Sequence, residues 1–209
     1  MTGGTFQRNP RNSPCSGHGL DALPAWTDAA TKLDAIRLTQ LGARAGLVVQ
    51  VTGIDKTLAN RLYRQIHGRP SPPGQTPFTG DWYLRNDRRL LHAAVIWRLH
   101  IAVGDRADSA ARRLINLYEA YRLSVSQPLF DIVHAAFVPS LIDMGIWRED
   151  RCTRCAARYL LPIEDRGTLC PGCRLYQRCR CLSCGHRAEG MRSGRRPNRC
   201  RHCGRERVI

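Results

Sequence analysis

Three observations predict a mainly α protein that ends in a small, cysteine-clamped module. Apolar residues recur at helical spacing through most of residues 31 to 145. Composition then changes abruptly after Trp147, and nine of the ten cysteines fall between residues 151 and 209. Eight of those nine stand in four Cys-x2-Cys pairs.

Residues 1 to 28 are rich in Gly, Pro, Asn, Ser and Arg without hydrophobic periodicity, and they read as a flexible basic arm holding an isolated thiol, Cys15. From Thr31 to about Gly46, Leu33, Ile36, Leu41 and Ala45 approximate helical spacing, which predicts the first helix. Leu47, Val48, Val49 and Val51 suit either a short strand or a short buried helix, and periodicity does not decide between them. Gly53-Ile54-Asp55 is a turn, and Asp55 can cap a helix whose Leu58, Leu62 and Ile66 recur every four residues until Gly68. Four prolines and three glycines then make residues 68 to 80 a stiff loop. Three further helices are expected over Asp81 to Val103, Asp105 to Val125 and Pro128 to Gly145. Their inward faces would carry Leu90, Leu91, Ala94, Val95 and Trp97, then Leu114, Leu117, Tyr118 and Tyr121, then Phe130, Val133, Phe137 and Leu141. Such aromatics at helical spacing belong to a core or a subunit interface rather than to a cofactor pocket.

The cysteines form an internal repeat. Cys152-x2-Cys155 is followed after fourteen residues by Cys170-x2-Cys173, and Cys181-x2-Cys184 after fifteen by Cys200-x2-Cys203. Two residues between cysteines let a tight turn aim both thiolates at one ion, and two such knuckles complete a tetrahedral shell. Sequential pairing of the knuckles is favoured over a cross-braced arrangement, because both quartets repeat nearly the same interval. The expectation is Zn2+, two ions per chain, held by Cys152, Cys155, Cys170 and Cys173 and by Cys181, Cys184, Cys200 and Cys203. Four thiolates leave no position for water, so both sites are expected to be structural. Cys179 is a spare thiol that could replace a ligand, and His186 and His202 read as solvent-facing or phosphate-contacting. Disulfides and an iron–sulfur cluster are the weaker alternatives, since no secretory signal and no ferredoxin-type spacing is evident. The expected fold is therefore mainly α: a helical body with a helix-turn-helix-like segment, followed by a C-terminal module of two zinc ribbons. Its expected units are residues 1–28, 29–148, 149–177 and 178–209.

Charge points to the partner. The chain carries a formal +16, and 31 of its 33 basic residues are arginine, whose fork of donors matches phosphates and guanine edges. Residues 151–209 hold fifteen arginines against four acidic residues. Biased composition and simple surface solvation are the bland alternative. In the helix after Asp55, Lys56, Asn60 and Arg64 fall four apart on a polar face that Thr57 and Arg61 extend, suited to base edges in a major groove. The same face could equally be solvated or rest on a partner. Phosphate contacts are expected from Arg154, Arg158, Arg195, Arg196 and Arg199. No run of about 18 apolar residues predicts a membrane helix, and the protein is expected in the cytoplasm. Paired carboxylates beside a His cluster, a nucleophile context and a phosphate loop are all missing from the sequence, which argues against an enzyme.

The run LTQLGARAGLVVQVTGIDKTLANRLYRQIHGRPSPPGQTPFTGDWYL, with its LGAR, its Leu62-Tyr63 pair before Gly68-Arg69, its Pro72-Pro73 and Pro77-Phe78, and then Asp81-Trp82, resembles the FlhC family. The similarity runs from about Ala35 to the first cysteine quartet. It implies a zinc-containing, non-catalytic subunit of the flagellar master activator, assembled with a small helical partner, FlhD. Such a subunit binds double-stranded promoter DNA upstream of flagellar operons and helps recruit RNA polymerase. The resemblance places the family's zinc site at Cys152, Cys155, Cys170 and Cys173. The second quartet and the basic arm depart from the family pattern. Relatives on mobile elements activate conjugation genes, so that target and a zinc-ribbon RNA-binding role stand as alternatives.

Overall fold

The computed structural model describes residues 24–73, 79–104, 109–181, 183–187 and 199–206. Among them eight helices and one two-stranded ribbon follow in the order α1 (Pro24–Gln40), α2 (Ala45–Thr52), α3 (Lys56–His67), α4 (Asp81–Leu84), α5 (Asp87–Val103), α6 (Ala110–Ser124), α7 (Ile132–Asp143), β1 (Trp147–Arg151), β2 (Arg158–Pro162) and α8 (Pro171–Cys179). No helix among the described residues is long and apolar enough to cross a membrane. The expected mainly α body and its two cysteine clusters are both present.

The ambiguous apolar run at residues 47–52 is helical, with Leu47 and Val48 buried in the main core. Arg37 to Ala43 turns out of α1 before α2 begins, so the helix expected to reach Gly46 stops at Gln40. The buried face of α1 also differs from expectation: Leu33 is exposed, while Ala35, Leu38 and Thr39 are fully buried. Thr39 is tolerated there because its hydroxyl donates to Ala35 O at 2.8 Å.

Asp55 caps α3 as expected, accepting from the amides of Thr57 at 2.7 Å and Leu58 at 3.2 Å. The long helix expected from Asp81 is broken at Arg85 and Asn86, because the Asn86 side chain accepts from Arg89 N and starts α5 afresh. Ser109 and Asp131 cap α6 and α7 in the same way, which places the start of α7 later than Pro128. Gly80 lets the chain reach α4 at close quarters: a Cβ there would lie 2.7 Å from Nε1 of the buried Trp147.

The core joins α1, α2, α5, α6 and α7 around Leu38, Val48, Ile96, Ile115, Tyr121 and Leu141. Tyr121 organises its polar interior. Its hydroxyl accepts from the amides of Leu129 at 2.9 Å and Phe130 at 3.3 Å, and it lies 2.6 Å from Nδ1 of buried His92, to which it can donate.

The ribbon belongs to two cores at once. Trp147 pairs with Pro162 and Arg151 with Arg158 in an antiparallel register. Leu160 and Trp147 join the main core, while Tyr159 and Leu161 on the opposite face of β2 pack with Cys152 and Cys170. A strand buried on both faces must be apolar throughout, which accounts for the run Tyr159-Leu160-Leu161.

Candidate metal centres and basic faces

The sequence distributes its thiols so that each quartet closes locally. The loop between β1 and β2 brings Cys152 and Cys155 together, with Ala156 N donating to Cys152 O at 2.9 Å. Ala156 sits at φ 58, a left-handed position that the corresponding residues of the second module, Gly185 and Gly204, occupy as glycine. The partner knuckle is not a hairpin turn. Cys170 is the N-cap of α8, its sulfur accepting from Cys173 N at 3.3 Å, with Pro171 preset for the first helical position. Cys170 N in turn donates to Cys152 Sγ at 3.3 Å. Helix-end amides thus face the thiolates.

Pairing is sequential. The four sulfurs of Cys152, Cys155, Cys170 and Cys173 all lie within 4.8 Å of one another, as do those of Cys181, Cys184, Cys200 and Cys203. Neighbouring sulfurs are 3.6 Å apart for Cys155 and Cys170, 3.7 Å for Cys181 and Cys203, and 3.6 Å for Cys184 and Cys200. A tetrahedron with metal–sulfur bonds of about 2.3 Å has edges of about 3.8 Å, whereas a disulfide needs about 2.05 Å. The donor sets therefore fit a tetrahedral thiophilic cation, and each group of four can hold one metal ion.

Electrostatics within each cluster favour such an ion. Burial opposes ionisation of Cys152, but the amides of Cys170, Cys155 and Arg154 outweigh it and push the thiol down to about 6. The amides of Cys184 and Ser183 likewise bring Cys181 to about 6. Other thiols of the clusters go the opposite way: burial and the sulfurs of Cys155, Cys170 and Cys152 push Cys173 up to about 12. A divalent cation supplies the missing counter-charge.

The candidate base-reading residues share one surface. Gly53, at φ 73, ends α2 and turns the chain into α3, whose Ala59 and Tyr63 are buried while Lys56, Asn60, Arg61 and Arg64 are all exposed. Asn60 Nδ2 donates to Lys56 O at 2.9 Å. Of the candidate phosphate contacts, Arg154 is exposed and its guanidinium lies 5.4 Å from the centroid of the Tyr176 ring, which Arg180 also approaches at 5.1 Å. Arg158 pairs with Glu149 at 2.8 Å, and Arg199 reaches Glu206 at 3.5 Å. Arg195 and Arg196 lie outside the described residues, as do Cys15 and most of the basic arm.

Sequence reasoning missed the contact that seats the first metal module on the body. Asp87 of α5 is buried and faces Arg174 and Arg178 of α8. No local pattern announces a pair so distant in sequence. The stacking of His186 on His202, with ring centroids 3.5 Å apart, was equally hidden, although each stands beside a ligand-spaced cysteine.

A helical body followed by two four-thiolate clusters, each able to hold a metal ion, in a chain rich in arginine, defines a helical protein with a cysteine-clamped basic tail. Comparison with known proteins then gives the family. Residues 25–183 match the family model described as Flagellar transcriptional activator (FlhC), and the chain belongs to that family. It is 27% identical over 147 residues to a flagellar transcriptional regulator FlhC of Variovorax paradoxus, covering 67% of this chain and 72% of that protein. Similar proteins of the same name occur in Erwinia tasmaniensis, 25% identical with 62% and 76% of the two chains covered, and in Paraburkholderia phymatum, 27% identical with 70% and 69% covered. This is a family of transcriptional regulators, not of enzymes. The match stops at residue 183, so most of the second cysteine quartet lies beyond it.

Proposed function

We propose that this chain is a DNA-binding subunit of a cytoplasmic transcription activator that assembles with a FlhD-like partner and activates flagellar operons through RNA polymerase. The observation that carries this reading is the exposed face of α3, where Lys56, Asn60, Arg61 and Arg64 stand clear of a helix anchored by Ala59 and Tyr63. Asn suits adenine and Arg or Lys guanine in a major groove, and a short helix, a three-residue turn and a second helix form a compact reading head. Residues 45–67 supply those parts.

In this reading each thiolate quartet holds Zn2+ as a structural ion, and metal binding contributes the folding free energy that so small a module lacks. Arg154, Arg158 and Arg199, with Arg195 and Arg196, contact phosphates and set orientation rather than sequence preference. Family membership supports the activator role, and the surplus of arginine supports a polyanionic partner.

The test is a titration of the purified chain, alone and co-expressed with a FlhD-like subunit, against promoter DNA and unrelated DNA at several salt concentrations. The expected result is tighter binding to the promoter, weakening steeply with salt. Equal affinity for both DNAs under all conditions overturns the reading, and recovery of RNA instead of promoter DNA on crosslinking in cells favours an RNA-binding role.

A further inference from the structure

The two turns of the second module close on different pairs of residues. Arg199 faces Glu206 across one backbone bridge, and their side chains meet as an ion pair at 3.5 Å. Arg180 faces Arg187 across the other bridge, where like charges directly opposite one another are destabilising. Arg180 Nη1 donates to Gly185 O at 3.0 Å, but neither arginine meets a carboxylate among the described residues.

Both arginines border an open groove of about 440 Å³ between α5 and α8, whose remaining lining is Leu91, Gly172, Leu175 and Tyr176. Leu91 and Tyr176 are 39% and 47% exposed. Gly172 leaves the floor uncovered, since even a Cβ there would stay 4.0 Å from Leu91 Cδ1. Arg154 adds a third guanidinium, 5.4 Å from the Tyr176 ring centroid, and no acidic residue lines the groove.

We propose that this groove docks an acidic amphipathic helix of a partner protein, with its apolar side chains on Leu91, Leu175 and Tyr176 and its carboxylates on Arg180 and Arg187. An apolar groove takes the apolar face of such a helix. The unrelieved Arg180 and Arg187 pair calls for an anion, and a carboxylate matches the guanidinium fork. The chain's own longer segments outside the described residues carry the wrong charge: residues 188–198 hold three arginines against one glutamate, and residues 1–23 two arginines against one aspartate. A second copy, at a formal +16, is repelled as well. A single nucleic-acid strand needs an open aromatic face for its bases. Here two guanidiniums approach the one ring, and the rest of the floor is aliphatic.

The test is a titration of the full-length, zinc-loaded chain with a labelled synthetic helix that carries leucine at i, i+3, i+4 and i+7 and glutamate on its other face. Binding is followed by fluorescence anisotropy and by the methyl resonances of Leu91 and Leu175, which are expected to move. Serine in place of the peptide's leucines is expected to weaken binding about tenfold or more, as is Arg180→Ala combined with Arg187→Ala. Leu91→Ser is expected to weaken the peptide about fivefold and to leave duplex-DNA affinity unchanged. Equal affinity for the leucine and serine peptides, unmoved Leu91 and Leu175 methyls, or variants that hold the peptide as tightly as the unsubstituted chain reduces the effect to general charge attraction and overturns the proposal. Absence of binding at millimolar peptide overturns it too. An oligothymidine that binds more tightly than the peptide and is weakened by Tyr176→Ala gives the groove to nucleic acid instead. Should Leu91→Ser lower the metal count or the thermal midpoint, the exposed arginine pair and the methyl resonances decide.

Discussion

Asp87, the first residue of α5, accepts a hydrogen bond at 2.7 Å from Nε of Arg174 on α8, joining the helical body to the first metal module. Arg178 Nη1 stands 2.9 Å from the other carboxylate oxygen as an ion pair that is not aligned for a hydrogen bond. The Asp87 side chain is 6% exposed, against 26% for Arg174 and 52% for Arg178. Removing the more buried arginine leaves a desolvated carboxylate with only a solvent-screened partner. Arg174→Met is therefore expected to cost about 2–3 kcal/mol and Arg178→Met less than about 1 kcal/mol, read as urea-unfolding midpoints of the metal-loaded protein.

Ala156 is the one described non-glycine residue with positive φ, and it occupies the knuckle position that Gly185 and Gly204 fill elsewhere. A Cβ in the left-handed region costs about 1–2 kcal/mol. Ala156→Gly is expected to recover about 1 kcal/mol of this, offset by the greater freedom of the unfolded chain. A rise in thermal midpoint with an unchanged metal count would bear this out, and a fall would not.

Gly80 has the opposite character. A methyl group there meets the indole of buried Trp147 at 2.7 to 3.1 Å, and that ring is packed against Tyr83. Gly80→Ala is expected to destabilise by about 1–3 kcal/mol through overpacking. Tryptophan fluorescence during thermal unfolding reports both the shift and any displacement of the ring.

His92 links stability to pH. Burial, aided by the nearby Arg88, lowers its pKa below the ordinary value near 6.5. A group whose folded pKa is lowered binds more protons when unfolded, so its contribution is fully present above pH 6.5 and is lost as pH falls through the folded value. Unfolding free energy should decline below pH 6.5, and His92→Asn should flatten that decline. Tyr121→Phe removes the acceptor shared by the amides of Leu129 and Phe130 and should cost about 1–3 kcal/mol at neutral pH.

The two kinds of basic residue should separate on DNA. Arg61→Ala on α3 is expected to cost about 1–3 kcal/mol on promoter DNA and to relax sequence preference. Arg154→Ala should instead weaken binding to all sequences alike and lower the salt slope by about 1. Binding isotherms at four salt concentrations distinguish these outcomes from a loss of folding, which would abolish both.

Much of this molecule was legible because its signals are local. The Asp55 cap, the glycine stops of α2 and α3 and the tandem thiol spacing each depend on residues within a few positions of one another. Reading failed where a distant element intervened. Leu91 matched an inward helical position but is 39% exposed, because α8 crosses α5 there and leaves it at the edge of an apolar groove with Leu175 and Tyr176. Leu33 likewise fits the helical period, yet small Ala35 and hydrogen-bonded Thr39 allow the closer approach and define the buried face. The knuckle at Cys170 reads as a turn in sequence and is a helix N-terminus in the fold, since Pro171 suits both.

By itself the sequence determined the helical body and the two thiol quartets and favoured their sequential pairing, because periodicity, capping and metal-ligand spacing act over short stretches of chain. Only the tertiary structure decided that one strand serves two cores, that Asp87 receives the arginines of α8, and that two histidines from separate knuckles meet beside Cys184. Those relationships depend on the angles at which finished elements pack, and packing is settled by burial and pairing across the whole chain rather than by neighbouring residues.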